Sequence, residues 1–264
     1  MYVKKTYVYG NRIEVRKYHT YKCGVKGEKR SKRKKPTPEQ MQDANERRAK
    51  RKLSRLMIGN FVCGDWHMVL TYAQDRRPDV DGSKRCLALF LKRMRKLYKK
   101  AGIELKWIAV TEWEKTNIHH HLAINDVPGM AAAVRQCWTW GNAHLTPLYA
   151  DGDYEGLAEY FVKETSLSFR KETNAYKQRW SCSRNLARPQ VETEIVKANS
   201  WRKQPKLTKE QEENGYQLLK DSLYVGVDAC GYPFQEYMLI RYGRSSEKEK
   251  KREKRQKRGR EQTI

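Results

Sequence analysis

The stretch from Ser83 to Lys100 constrains the fold of this chain more than any other. Leu87, Phe90, Leu91, Met94, Leu97 and Tyr98 recur there at spacings of three and four. That period places all six on one stripe of an α-helix, with basic residues around the rest. So wide an apolar stripe needs a second layer to cover it. Gly102 marks the C-terminal stop. Around this helix the pattern shifts to strands, from Asp65 to Tyr72, Leu105 to Glu112 and Ile118 to Ile124. Further helices are expected around 129–138 and 153–165. The order β, α, β-hairpin, α predicts an α+β fold, an antiparallel sheet with helices packed on one face.

The flanks read differently. Residues 1–23 alternate polar and apolar side chains about Gly10-Asn11, which predicts a β-hairpin. Residues 26–35 form a basic, turn-rich linker. Thr37-Pro38-Glu39-Gln40 carries a capping box and begins a helix that runs to about Met57. Its surface holds Arg47, Arg48, Lys50, Arg51, Lys52 and Arg55, which fits either a solvated face or an arm tracking phosphates. Four regions are expected: a hairpin, basic linker and basic helix over 1–60, a central domain over 61–190, an extension of unassigned role over 191–244, and a disordered basic tail over 245–264.

Charge narrows the partners. Lys and Arg number 56 against 31 Asp and Glu, a formal charge of +25. Such a field draws polyanions, and nucleic acid is the expected partner. A membrane is not, because no apolar run approaches the ~18 residues of a span. The start, Met1-Tyr2-Val3-Lys4-Lys5, lacks the apolar stretch of an export signal, so a cytoplasmic location is expected. The six cysteines, at 23, 63, 86, 137, 182 and 230, include no C-x-x-C and are expected as free thiols.

Two segments carry candidate chemistry. On a strand, His119 and His121 of Ile118-His119-His120-His121-Leu122 share a face, and His120 points the other way. Two imidazoles so placed make half of a metal site. If the preceding strand pairs with this one, Glu112 falls on the same face as His119, with Glu114 as the alternative of equal parity. Two histidines and a carboxylate leave positions open for water and phosphate oxygens, which suits Mg²⁺ or Mn²⁺ and admits zinc. The second segment is Leu157-Ala158-Glu159-Tyr160-Phe161-Val162-Lys163, where Tyr160 and Lys163 are helix neighbours. A tyrosine can serve as a covalent nucleophile, and a nearby lysine can stabilise phosphate or phenolate charge. Trp113, Trp138, Trp140 and Trp180 fit either stacking platforms for bases or core packing.

Three of these motifs, in this order, resemble the HUH-type rolling-circle replication initiators of phages, plasmids and integrative elements. They are Val69-Leu70-Thr71-Tyr72, His119-x-His121 and Tyr160-x-x-Lys163. The resemblance extends from about Thr37 to about Pro189 and includes Ser183-Arg184-Asn185-Leu186. It implies a five-stranded antiparallel sheet, a metal held by His119, His121 and Glu112, and Tyr160 as the nucleophile that nicks single-stranded DNA at a replication origin. Arg48, Arg51, Arg184 and Asn185 become candidates for DNA contact. No second tyrosine lies three or four residues from Tyr160, so a single-tyrosine enzyme is expected. No P-loop is present, so a host helicase and polymerase are expected partners. A mobilisation relaxase, a single-tyrosine transposase or a non-enzymatic binder with a structural metal remain alternatives.

Overall fold

The computed structural model describes residues 1–20, 37–113, 117–148, 152–166, 178–197, 199–228 and 231–241. The basic linker, Glu114, Cys23, Cys230 and the tail from 245 lie outside the described residues. Among those described, the chain divides into two compact units. One is built on Met41–Ala187; the other joins Met1–Gln40 to the segment beginning at Arg188.

The unit at 41–187 contains a five-stranded antiparallel sheet. Its strands are β3 (Trp66–Thr71), β4 (Trp107–Glu112), β5 (His119–Ile124), β6 (Ala143–Pro147) and β7 (Ser181–Cys182), in the order β6-β3-β5-β4-β7. Strand β6 is not evident from sequence. The amphipathic helix α2 spans Val80–Lys100, three residues earlier than expected, because the Asp79 side chain accepts from the Gly82 amide and caps it. Leu87, Phe90, Leu91, Met94 and Tyr98 of α2 are buried with Met68 and Leu70 of β3 and Leu122 and Ile124 of β5. Met130 and Val134 of α3 (Met130–Cys137) join the same core. Helix α1 (Pro38–Ile58) begins with the expected capping box, Thr37 and Gln40 exchanging both hydrogen bonds at 3.0 and 3.3 Å.

Helix α4 (Glu155–Glu164) does not share the face of α2. Its Tyr160 and Phe161 rings lie against His67 and His121, which point away from the α2 core. Helices therefore cover both faces of the sheet, which corrects the one-face expectation. The reason is the division of labour along α4: Phe161 and Val162 are buried, so this helix too has an apolar stripe that needs a sheet.

The fold also has a second antiparallel sheet where the sequence predicts one. Strands β1 (Tyr2–Tyr9) and β2 (Arg12–His19) form the expected hairpin. Beyond it, β1 pairs with β8 (Gln190–Val196), and β2 pairs with β11 (Pro233–Arg241). Strands β9 (Tyr216–Leu218) and β10 (Tyr224–Val227) flank β11. A short helix, α5 (Lys209–Glu213), opens on its own capping box at Thr208. The hairpin and the stretch 191–244, separate on sequence, thus share one sheet. A lone hairpin is marginal in water, and these two segments complete each other. Ile13, Val15, Tyr237 and Leu239 form the core on one of its faces.

Candidate functional site

Strand register assembles the site. In the β4–β5 pair Glu112 stands opposite His119 and Val110 opposite His121. In the β3–β5 pair Thr71 stands opposite His119 and Val69 opposite His121. Directly opposed residues share a face, so Glu112, His119 and His121 lie on the same side, as the alternation required. His120 points into the α2 core, where Tyr72 Oη meets its Nε2 and Thr111 Oγ1 meets its Nδ1, both at 2.8 Å.

On the open face three polar atoms converge. His119 Nε2 lies 3.0 Å from His121 Nε2, and Tyr160 Oη lies 3.2 Å from His121 Nε2. The tautomer of His119 follows from its other nitrogen. Nδ1 lies 2.7 Å from the Asn117 carbonyl, which can only accept, so Nδ1 carries the proton and Nε2 offers a lone pair. His121 Nδ1 lies 3.4 Å from His67 Nε2. If that nitrogen donates to His67, the His121 Nε2 lone pair also faces the centre. The sequence pattern does not single out His67. Its position two residues before Val69 puts it on a shared face, but only the strand pairing shows that face to be the histidine one.

Burial keeps the His121 and His67 rings neutral. It pushes His121 down to about 3, with the neighbouring His119, His67 and His120 adding to the effect. His67 is pushed down to about 4, by burial and then by His144. Neutral imidazole is the form that binds metal. Tyr160 shifts the opposite way from a ready nucleophile: burial first, then the charges of Glu164 and Glu112, raise its hydroxyl above the ordinary tyrosine value.

In kind, the donors suit a divalent cation: imidazoles and a same-face carboxylate that is 1% exposed. In geometry the two Nε2 atoms suit it as well. A 3.0 Å separation is the edge between adjacent ligands on a cation with bonds of about 2.1 Å. The third corner is not assembled. Among the described residues no group of three or more His, Cys, Asp or Glu stands in metal-holding geometry.

The remaining candidates fall at varied distances from this centre. Lys163 is exposed one turn along α4, and its charge acts on Glu159. Glu159 itself forms an ion pair with Lys50 of α1 at 2.5 Å, which ties the tyrosine helix to the basic helix. Arg48 is exposed and Arg51 half-buried on α1, and Arg184 is exposed. The Asn185 amide nitrogen donates to the Leu105 carbonyl at 3.1 Å and to Glu104 at 3.4 Å, which anchors its loop. Tyr154 is 1% exposed at the start of α4 and is no second nucleophile at the surface. Trp138 is a core residue whose indole donates to the Thr71 carbonyl at 3.0 Å, and Trp140 packs beside it. The four described cysteines are free thiols. Among the described residues no helix is long and apolar enough to cross a membrane.

Comparison with known proteins bears on the same segment. No curated protein and no solved structure matches the chain significantly. The model of a replication-associated protein family, the ORF2 family, matches residues 65–165. That span opens one residue before β3 and closes one residue after α4, and it contains Glu112, His119, His121, Tyr160 and Lys163. Through residues 65–165 the chain is similar to this replication-associated family, which supports a replication initiator protein.

Proposed function

We propose that this protein nicks single-stranded DNA at a replication origin and keeps the cut strand as a covalent tyrosine ester, initiating rolling-circle replication. The observation that carries this reading is the placement of Tyr160 Oη 3.2 Å from His121 Nε2, beside the His119–His121 pair. A tyrosine that only packed a helix would have no need of a neutral imidazole at its hydroxyl.

The step is a transesterification. Tyr160 Oη attacks the scissile phosphorus in line. The bond from phosphorus to the 3′ oxygen breaks, the phenol gives up its proton and the 3′ oxygen gains one. The products are a 5′-phosphotyrosine and a 3′-hydroxyl that can prime a polymerase. The bond energy stays in the protein–DNA link, so rejoining needs no nucleotide cofactor. His119, His121 and Glu112 would hold Mg²⁺ or Mn²⁺, which supplies Lewis-acid charge to the phosphate and favours the phenolate. That charge answers a need of the site, since burial and two carboxylates disfavour the Tyr160 phenolate. Lys163 adds positive charge near the transferred phosphate, and Arg48, Arg51 and Arg184 supply affinity for the DNA backbone, steep in salt. Host helicase and polymerase would complete the process.

The test is a labelled single strand spanning the element's origin, incubated with Mn²⁺ or with EDTA and run on a denaturing gel. A protein–DNA adduct that needs metal and is missing in Tyr160→Phe is expected. Salt-sensitive binding without an adduct would instead make this a nucleic-acid-binding protein whose histidines are structural.

A further inference from the structure

A pocket of ≈ 210 Å³ opens at the edge of the five-stranded sheet where β4 meets β7. Trp107, Trp113 and Trp180 wall it, with Leu87 and Leu91 of α2. We propose that this pocket holds one unpaired nucleobase of the DNA strand, next to the phosphate that Tyr160 attacks. This rests on the reading of Tyr160 as nucleophile and adds a base-reading subsite to it.

Size is the first argument. Pockets for drug-sized ligands run to about 300–1,000 Å³, so this one suits a single ring system and excludes a helix or a duplex. Chemistry is the second. Indole walls offer flat apolar faces, the surface on which unpaired bases stack. Trp107, Trp113 and Trp180 supply three such walls. Charge is the third. Lys84 and Arg179 line the pocket, Arg179 also pairing with Glu46 at 3.9 Å, and among the described residues no acidic side chain lines it, which suits a group that carries a phosphate.

Position links the pocket to the tyrosine. Trp113 follows Glu112 directly in the chain, and Thr165 lies five residues beyond Tyr160, roughly 7.5 Å along a helix axis. Arg179 donates to the Val162 carbonyl of α4 at 3.4 Å, so the pocket wall is fastened to the helix that carries Tyr160. The pocket lies on the α2 side of β4, with Trp107 and Ala109, while Glu112 lies on the histidine side. A strand crossing the sheet edge would leave one base on the α2 side as its phosphate met the tyrosine.

Two variants test this. Ala88 is exposed on α2 and lines the pocket, so Ala88→Phe fills the space without removing a wall. Trp107→Phe keeps a ring and shortens one stacking wall. Tryptophan fluorescence is titrated with dAMP, dCMP, dGMP and dTMP. Origin strands with an abasic site at each position around the cut are then nicked by each protein. Saturable quenching by at least one nucleotide is expected, weakened about tenfold or more by Ala88→Phe, the scale of one lost base stack. Wild type should nick about tenfold more slowly when one particular position is abasic, whereas Ala88→Phe, already slow, should not respond to that position. Trp107→Phe should weaken that quenching, but less than Ala88→Phe does. A flat abasic profile would overturn the proposal, whether or not free nucleotides bind. So would an Ala88→Phe protein of normal melting temperature with wild-type binding. A wild type that forms no tyrosine adduct with any origin strand sinks the nuclease reading instead, and the two failures are told apart by the adduct band.

Discussion

His120 and His121 are adjacent on β5, yet they belong to different environments. His120 faces the α2 core, is fully buried, and has a partner on each ring nitrogen, Tyr72 and Thr111. His121 faces Tyr160, His119 and His67. One imidazole completes a closed hydrogen-bond set inside the fold, and the other converges with groups that can act on a ligand. Residue type alone says nothing of this difference; the two-residue period of a strand decides it. A histidine run on a strand therefore builds a site and its foundation together.

This contrast can be broken by exchanging the two losses. His121→Gln should reduce adduct formation by at least about a hundredfold and, because it keeps a polar side chain in this buried position, cost less stability than the loss of His120. His120→Ala should do the reverse. It leaves a cavity and strands the Tyr72 and Thr111 hydroxyls, at a cost of roughly 2–4 kcal/mol, visible in urea unfolding. Equal stability losses in the two variants would mean that the faces are not distinct. His67→Phe, which removes the acceptor beside His121 Nδ1, should lower metal affinity about tenfold by calorimetry, and His67→Gln should restore part of it.

Acid acts on His120 and His121 alike. Burial and the charge of His119 push His120 down to about 3 in the fold. The unfolded chain takes up that proton near pH 6.5. The unfolded state thus binds more protons between these values, so the stabilisation is complete above about pH 6.5 and is lost as pH falls toward 3. Unfolding free energy measured across this window should fall with acid, and His120→Gln should reduce the slope by about one proton. An unchanged slope would mean that the His120 ring is not the buried neutral group described. The smallest effect is expected farthest from the strand. Glu159→Gln breaks the exposed pair with Lys50 and should cost only about 0.2–1 kcal/mol, less in high salt.

Much of the unit at 41–187 is legible in the sequence because its signals are local. The stripe of α2, the capping box of α1 and the alternation along His119–Ile124 each lie within one element, and each matches the structure. Glu112 can be placed beside His119 because a short connection fixes register. His67 cannot, since its face depends on the pairing of β3 with β5, in which it meets Ala123, 56 residues further on. The face that α4 covers is hidden for a similar reason: an amphipathic stripe says that a helix is covered, not by which side of a sheet. Strand β7 is only two residues long and carries no periodicity to detect. The second sheet is hidden most deeply, because β2 meets β11 across more than two hundred residues. Local pattern contains nothing about such a partner.

That last pairing has a consequence for how the molecule comes into being. During synthesis the hairpin β1–β2 leaves the ribosome well before its neighbours: β8 on one side, then β11 on the other, with the Arg241 amide closing onto the Asn11 carbonyl at 2.9 Å. Contacts this distant in sequence form slowly and leave strand edges open meanwhile. The strands and helices between Met41 and Ala187 depend on no such delay. The part that carries Tyr160 can be folded while the hairpin still waits for β11.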